Sequence, residues 1–277
     1  MKKNLLGIGV TLGRYSSFVS QLSALAKLRQ SCYVCVANVH MLIEARSDAR
    51  FADVVNGAKI VTPDGMPLAK SFRLLYGIGQ DRVAGMDLLP DLLTAAAEEN
   101  IAVYFYGSTP EVLERTQSYC NNNLPHLNLA GMHSPPFRTL SAVEENNVVE
   151  DINASGAGFV FVALGCPKQE KWMASMQGRI NACMIGIGGA LPVMVGMQKR
   201  APKLMQTLSL EWLYRMAQEP KRLVGRYSKT NFLFLYLVMR EMIRIPFRRM
   251  PQMDLEESPV MENLPIKSLE STEMIHA

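Results

Sequence analysis

The sequence has no run of the ~20 consecutive apolar residues that a membrane-spanning helix needs, and its nine mostly apolar residues Asn231–Met239 fall far short. Metal-binding patterns are also missing. His126 and His133 have no carboxylate or cysteine at a ligand spacing. Of the five cysteines, Cys32 and Cys35 form a C-x-x-C pair that no second pair follows. Both enter an apolar, strand-like run, where buried small hydrophobes are favoured over a zinc or redox site. The odd count speaks for a reducing compartment and against a disulfide scaffold. No Asp-x-Asp is present to hold a metal–nucleotide diphosphate, so the charge of a leaving diphosphate would fall to Arg, Lys and backbone N–H groups. Gly7 and Gly9 begin a dinucleotide-binding G-x-G-x-x-G, but position 12 is Leu and Gly13 comes one place late, which argues against a nicotinamide-dependent oxidoreductase. Met1–Lys3 is basic, yet Asn4–Val10 is short, contains glycine and lacks a cleavage site, so no signal peptide is expected.

Charge is present in quantity but unevenly. Residues 1–196 hold 16 Lys/Arg and 16 Asp/Glu, residues 197–249 hold 12 basic against 3 acidic, and residues 250–277 hold one Lys against 6 acids. The three zones read as an α/β core, a basic helical appendage and a disordered acidic tail. A basic appendage calls for an anionic partner or surface. The run Asn231–Met239, followed by Arg240, Arg244, Arg248 and Arg249, suits a helix lying in the interface of an anionic membrane; a helix docked on the core is the alternative.

Strand-like and helix-like segments alternate through the core. Asn4–Val10, Tyr33–Ala37, Lys59–Val61, Ile101–Tyr106, Leu127–Ala130, Phe159–Leu164 and Ala182–Ile187 read as strands. Phe18–Leu28, Met41–Arg46 (continued by Phe51–Asn56), Met86–Glu99, a helix opened by Ser108-Thr109-Pro110-Glu111, Ala142–Asn153 and a segment through Trp172 read as helices. The fold class is therefore α/β, a Rossmann-like, doubly wound, mostly parallel sheet. Ligands bind such sheets at the carboxyl ends of the strands. The loops Thr62–Pro67, Gly107–Glu111, Gly165–Glu170 and Gly188–Gly189 all follow strands and converge on that edge.

Within those loops, Asp64 sits between Pro63 and Gly65, placed either as a general base for an attacking hydroxyl or as a turn aspartate holding backbone amides. Gln169 offers a donor and an acceptor, and Lys168 a charge. Arg82 suits a phosphate or its neighbours Asp81 and Asp87, and His40 a substrate contact or a helix start. Gly188 and Gly189 let backbone approach a ligand, and the cations Lys199, Arg200, Lys203, Arg215, Lys221, Arg222 and Arg226 follow them. A solvated basic face is the plainer account of those cations.

TPDGMP (Thr62–Pro67), RVAG (Arg82–Gly85), GCPKQEKW (Gly165–Trp172), GIGG (Gly186–Gly189), KRAP (Lys199–Pro202), LEWLYR (Leu210–Arg215) and EPKR (Glu219–Arg222) follow in order, and together they resemble the WecG/TagA/CpsF family of bacterial glycosyltransferases from about Asn38 to Arg226. The resemblance implies inverting transfer of a hexose or N-acetylhexosamine-type sugar from a UDP-sugar to a saccharide on undecaprenyl diphosphate. It implies a cytoplasmic protein, peripheral on the inner face of the plasma membrane, working without a metal or other cofactor. It maps the catalytic base onto Asp64, polar pocket residues onto Asn38, Arg82 and Gln169, and site-closing arginines onto Arg215 and Arg222. Two positions depart from the pattern: Val36 stands where a Thr is common, and Gly225 where a third basic residue is expected, with Arg226 beside it. The expected partners are thus the UDP-sugar, the polyprenyl-diphosphate-linked acceptor and an anionic membrane, with no nucleic acid; a homo-oligomer is left open. The rival is a non-catalytic, membrane-associated nucleotide-sugar-binding module, which the presence of Asp64, Gln169 and the arginines disfavours.

Overall fold

The computed structural model describes residues 1–207, 210–218 and 220–244; the side chains of 207, 221–224 and 226–229 are outside the description, as are Arg248, Arg249 and the acidic segment 250–277. The chain opens on a hairpin, β1 (Lys2–Leu5) and β2 (Ile8–Thr11), paired antiparallel from Lys2↔Thr11 to Leu5↔Ile8. The single strand expected over Asn4–Val10 is thus two. Leu6 and Gly7 both take positive φ, 54° and 98°, as a two-residue turn matching the strands' twist requires. The Asn4 side chain accepts the Gly7 N–H at 3.0 Å and closes the turn.

The main sheet is six-stranded and parallel throughout, in the order β4-β3-β8-β7-β5-β6. Its strands are β3 (Cys32–Ala37), β4 (Ile60–Pro63), β5 (Val103–Gly107), β6 (Leu129–His133), β7 (Phe159–Ala163) and β8 (Cys183–Gly186). Side chains alternate between its two faces. Tyr33, Cys35, Val160, Val162 and Met184 enter one apolar layer, and Cys32, Val34, Phe159, Phe161 and Ile185 the other. The first layer is closed by α2 (Val39–Ser47), α3 (Ala49–Gly57), α4 (Met66–Tyr76), α7 (Ala142–Ala154), α8 (Lys168–Met176) and α12 (Pro220–Arg244); the second by α1 (Tyr15–Lys27), α5 (Gly85–Glu98), α6 (Pro110–Asn123) and α9 (Ala190–Met194). This is the doubly wound α/β fold expected. Two short helices, α10 (Lys203–Thr207) and α11 (Glu211–Gln218), precede α12.

Two helical expectations change. Residues 41–56 are not continuous helix, because Asp48 turns extended and its carboxylate accepts the Phe51 N–H at 3.2 Å, capping α3. Helix α4 was not anticipated after the Pro-Asp-Gly loop. Gly65 at φ 96° starts it, Pro67 occupies its first turn and Gly77 in the left-handed region ends it.

Helix α12 is docked on the core, the alternative reading of the apolar run, and part of the run stays exposed. Phe234, Leu237 and Val238, at i, i+3 and i+4, are buried in the layer shared with α2 and α4. Phe232, Leu235, Tyr236 and Met239 face outward and are more than half exposed. Among the described residues no helix is long and apolar enough to cross a membrane.

Candidate active site

The strand order turns back on itself beside β3 and β8, and a cleft of about 380 Å³ opens there at the strands' carboxyl ends. Asn38 after β3, Asp64 and Gly65 after β4, Gly165 and Cys166 after β7, and Gly188 and Gly189 after β8 line it. Every one of these loops leads into a helix, so α2, α4 and α8 direct N-terminal ends toward the cleft, as does α5 through Gly85 and Met86. Helix N-termini carry partial positive charge and unpaired N–H groups, a setting for an anion.

Asp64 is held by its backbone. Its N–H donates to the Ala37 carbonyl at 2.7 Å, fastening the loop to the end of β3. The Val83 N–H donates to the Pro63 carbonyl at 3.0 Å and the Thr62 hydroxyl to the Val83 carbonyl at 3.3 Å, so the Arg82–Gly85 loop is tied to the same corner. Asn38 caps α2 by accepting the Met41 N–H at 3.1 Å through Oδ1, which leaves its amide group to hydrogen-bond Asp64. The residue as a whole is half-buried, but enough protein surrounds the carboxyl that desolvation dominates and pushes its pKa up to about 7. Glu211 adds to the rise; Arg215, Arg82 and the Asn38 hydrogen bond oppose it. A carboxylate that titrates near neutrality is matched to general-base work.

Gln169 is buried at the start of α8 and locked by two bonds. Its Oε1 accepts the Gly165 N–H at 3.1 Å, and its Nε2 donates to Glu170 Oε1 at 2.7 Å. Glu170 is fully buried, and burial raises its pKa. A Cβ on Gly186 would lie 2.8 Å from Gln169 Nε2 and 2.9 Å from Met173 Cε, so the end of β8 must be glycine for Gln169 to reach the cleft wall.

The arginines divide. Arg215 lines the cleft, with Nη2 near Gly189 and 3.6 Å from Met86 Sδ. Arg82 and Arg200 do not line it. Arg82 Nη2 donates to Asp87 at 2.6 Å and Nη1 to Glu211 at 3.2 Å. Arg200 pairs with the other oxygen of Asp87, and Gln206 Oε1 accepts from both arginines, at 3.4 Å from Arg82 and 3.2 Å from Arg200. Of the two acidic neighbours open to Arg82 from its sequence, Asp81 and Asp87, it takes Asp87, with Glu211 as a second partner. Arg222, Lys221 and Arg226 lie in α12, with side chains outside the description.

Of the residues singled out from sequence, Asn38, Asp64, Gly165, Gln169, Gly188, Gly189 and Arg215 therefore meet in one cleft, together with His40 and Lys199. Gly107 does not join them. It ends β5 at φ 105°, and a Cβ there would lie 2.8 Å from the Ala163 carbonyl, which makes its glycine a packing requirement. Unanticipated lining comes from Glu211, Trp212, Gln218 and Asn231. The signal for two of them was in the spacing: Glu211 and Gln218 stand at i and i+7 about the anticipated Arg215 at i+4, one face of a helix.

A family model described as "Glycosyl transferase WecG/TagA/CpsF family" matches residues 3–247. That range takes in the N-terminal hairpin, the whole sheet and the described C-terminal helices. The chain belongs to this family.

Proposed function

We propose that this glycosyl transferase of the WecG/TagA/CpsF family transfers a sugar from a UDP-sugar, with inversion, to a hydroxyl of a polyprenyl-diphosphate-linked saccharide in cell-surface polysaccharide assembly. The observation that carries the reading is Asp64, an anchored carboxyl with a pKa of about 7, in a cleft ringed by helix N-termini and Arg215. The acceptor hydroxyl gives its proton to ionised Asp64 while its oxygen bonds the anomeric carbon from the face opposite the nucleotide. The bond from that carbon to the diphosphate oxygen breaks, and UDP leaves with the electron pair. Arg215, Lys199 and the N-termini of α2, α5 and α8 balance the departing charge, a contribution of several kcal/mol in preorganised sites. The Arg222 side chain is assigned the same task from the family resemblance alone. These cations supply the charge a metal would otherwise bring, so the reaction is expected to proceed in EDTA.

The acceptor is lipid-borne, and α12 offers the surface to meet it. Phe232, Leu235, Tyr236 and Met239 form an outward apolar face, continued by Arg240 and Arg244. An anionic bilayer attracts each nearby cation by about 1 kcal/mol. That surface supports the reading of a peripheral protein working at the inner face of the plasma membrane. The test is UDP release by the full chain from a panel of UDP-sugars, in EDTA, with an undecaprenyl-diphosphate-linked acceptor. Acceptor-dependent release from one donor establishes the reaction and names the sugar. Donor binding with no release from any donor, whichever acceptor head is supplied, would instead favour a non-catalytic nucleotide-sugar-binding module.

A further inference from the structure

A second acid lies behind the wall of the cleft. Glu170 is fully buried, and no cation is among the groups acting on it. Its Oε1 accepts from Gln169 Nε2 at 2.7 Å, while Oε2 is buried and meets no nitrogen or oxygen donor. The Cys166 thiol lies beside the carboxyl. Burying an acid without a cation costs stability, and an apolar side chain would fill the same space without that cost. Packing therefore does not explain Glu170. What it holds is Gln169. That residue closes the loop after β7 twice: its backbone N–H donates to the Gly165 carbonyl at 3.0 Å, and its Oε1 accepts the Gly165 N–H at 3.1 Å. Both bonds to the amide have a direction. The Gly165 N–H demands an oxygen and the Glu170 carboxyl a nitrogen, so a flipped amide would lose both.

The amide rests against the end of β8. A Cβ on Gly186 would lie 2.8 Å from Gln169 Nε2, and one on Gly188 would lie 3.3 Å from Oε1 and 3.7 Å from Nε2. Arg215 reaches the same turn, with Nη2 4.0 Å from where a Gly189 Cβ would stand. Gln169, Arg215 and the three glycines all line the cleft. Nε2 carries two N–H groups, and Glu170 takes one. We propose that Glu170 is a positioning residue whose carboxyl fixes the Gln169 amide so that an N–H, and not the amide oxygen, meets the diphosphate of the nucleotide-sugar over Gly188 and Gly189. The proposal rests on the reading of the cleft as a nucleotide-sugar site and deepens it. An amide oxygen turned to the same place would repel the phosphate oxygens, whereas an N–H bonds them, the stronger for their charge. A glutamine at 170 could turn either its oxygen or its nitrogen to Gln169. A carboxylate oxygen only accepts, and that is what the acid adds.

The test is a double-mutant cycle on UDP binding to the full chain, read by calorimetry in EDTA. Glu170→Met, similar in length but with no acceptor, is expected to raise the Kd for UDP about tenfold, and the KM for the UDP-sugar by a similar factor, with a smaller change in kcat. Glu170→Gln keeps an oxygen available to Nε2 and falls between Glu170→Met and wild type. Because Glu170 acts through its neighbour, Gln169→Ala weakens binding alone, and adding Glu170→Met to it changes nothing further. A second readout needs no substitution at 170: the side-chain NH2 resonances of Gln169, assigned by their loss in Gln169→Ala, shift when UDP is added to wild type. Glu170→Met that melts lower yet binds UDP as wild type does, a further loss of the same size on top of Gln169→Ala, or resonances that stay put while UDP binds, each overturns the positioning role and leaves the proposed reaction standing. Wild type that binds no UDP overturns the nucleotide-sugar reading and the positioning role with it.

Discussion

Residues 1–196 balance 16 basic against 16 acidic side chains, whereas residues 197–249 hold 12 basic against 3 acidic. Composition alone would make the first region indifferent to anions and the second uniformly attractive to them. The structure divides the labour otherwise. The neutral region gathers helix N-termini, with their partial positive charge, at one sheet edge without any net charge. In the basic region, Arg200 is neutralised by Asp87 of the core, while Arg215 and Lys199 line the cleft. Glu211 brings negative charge to Asp64 from the same basic segment. Pairing, not net charge, decides which cations face a substrate.

The sharpest way to break this comparison is at Asp64, where the neutral region is expected to do its chemistry. Asp64→Asn should lower kcat by about 10²–10⁴-fold, measured as UDP release at pH 8. The same substitution should raise thermal stability at that pH. An acid whose folded pKa is about 7 against 3.8 holds its proton longer in the folded state, so stability is lost as pH rises from about 4 to about 7. Asparagine removes that loss, and the two proteins should melt together near pH 4. Next in size is Asp87→Ala, which leaves Arg82 and Arg200 without their shared partner. A loss of roughly 2–4 kcal/mol is expected, read by denaturant unfolding, together with a fall in transfer rate as α10 and α11 loosen. Gly186→Ala probes the core beneath the cleft. The added methyl meets Gln169 and Met173 below 3.0 Å, and a loss of about 1–3 kcal/mol with weaker donor binding is the expected result. Replacing Phe232, Leu235 and Tyr236 together by Ser should weaken binding to anionic vesicles by tenfold or more while shifting the melting temperature little, since all three face outward; unchanged vesicle binding would remove α12 as the membrane surface. The smallest effect belongs to Lys27–Glu99, a 3.1 Å pair with its lysine 53% exposed. Glu99→Ala should cost less than about 1 kcal/mol, in contrast to the half-buried cluster at Asp87.

Elements whose identity rests on local periodicity were legible in the sequence. Phe18, Leu22, Leu25 and Ala26 repeat at helical spacing, and α1 buries all four. Asp64 was legible because proline and glycine bracket it after an apolar strand. The break between α2 and α3 was not, since the apolar spacing runs on past it and only the side chain of Asp48 interrupts the backbone. Nor was the hairpin, whose turn uses Leu6 at positive φ where a glycine or asparagine would have announced it. The pairing of Arg82 was half legible. Asp87 lies five residues on, but Glu211 is 129 residues away, and no local pattern reports a contact at that separation.

By itself, the sequence determined the alternation of strands and helices, hence a doubly wound sheet with the loops at Asp64, Gly107, Gly165 and Gly188 following its strands. Those choices depend on side-chain period and backbone permissiveness, which act over a few residues. Tertiary structure alone decided that Gly107 serves packing, that Arg200 shares Asp87 with Arg82, and that Glu211 lines the same cleft as Asp64. Charge interactions act through space and depend on burial, so their partners are chosen only when distant segments have folded onto one another.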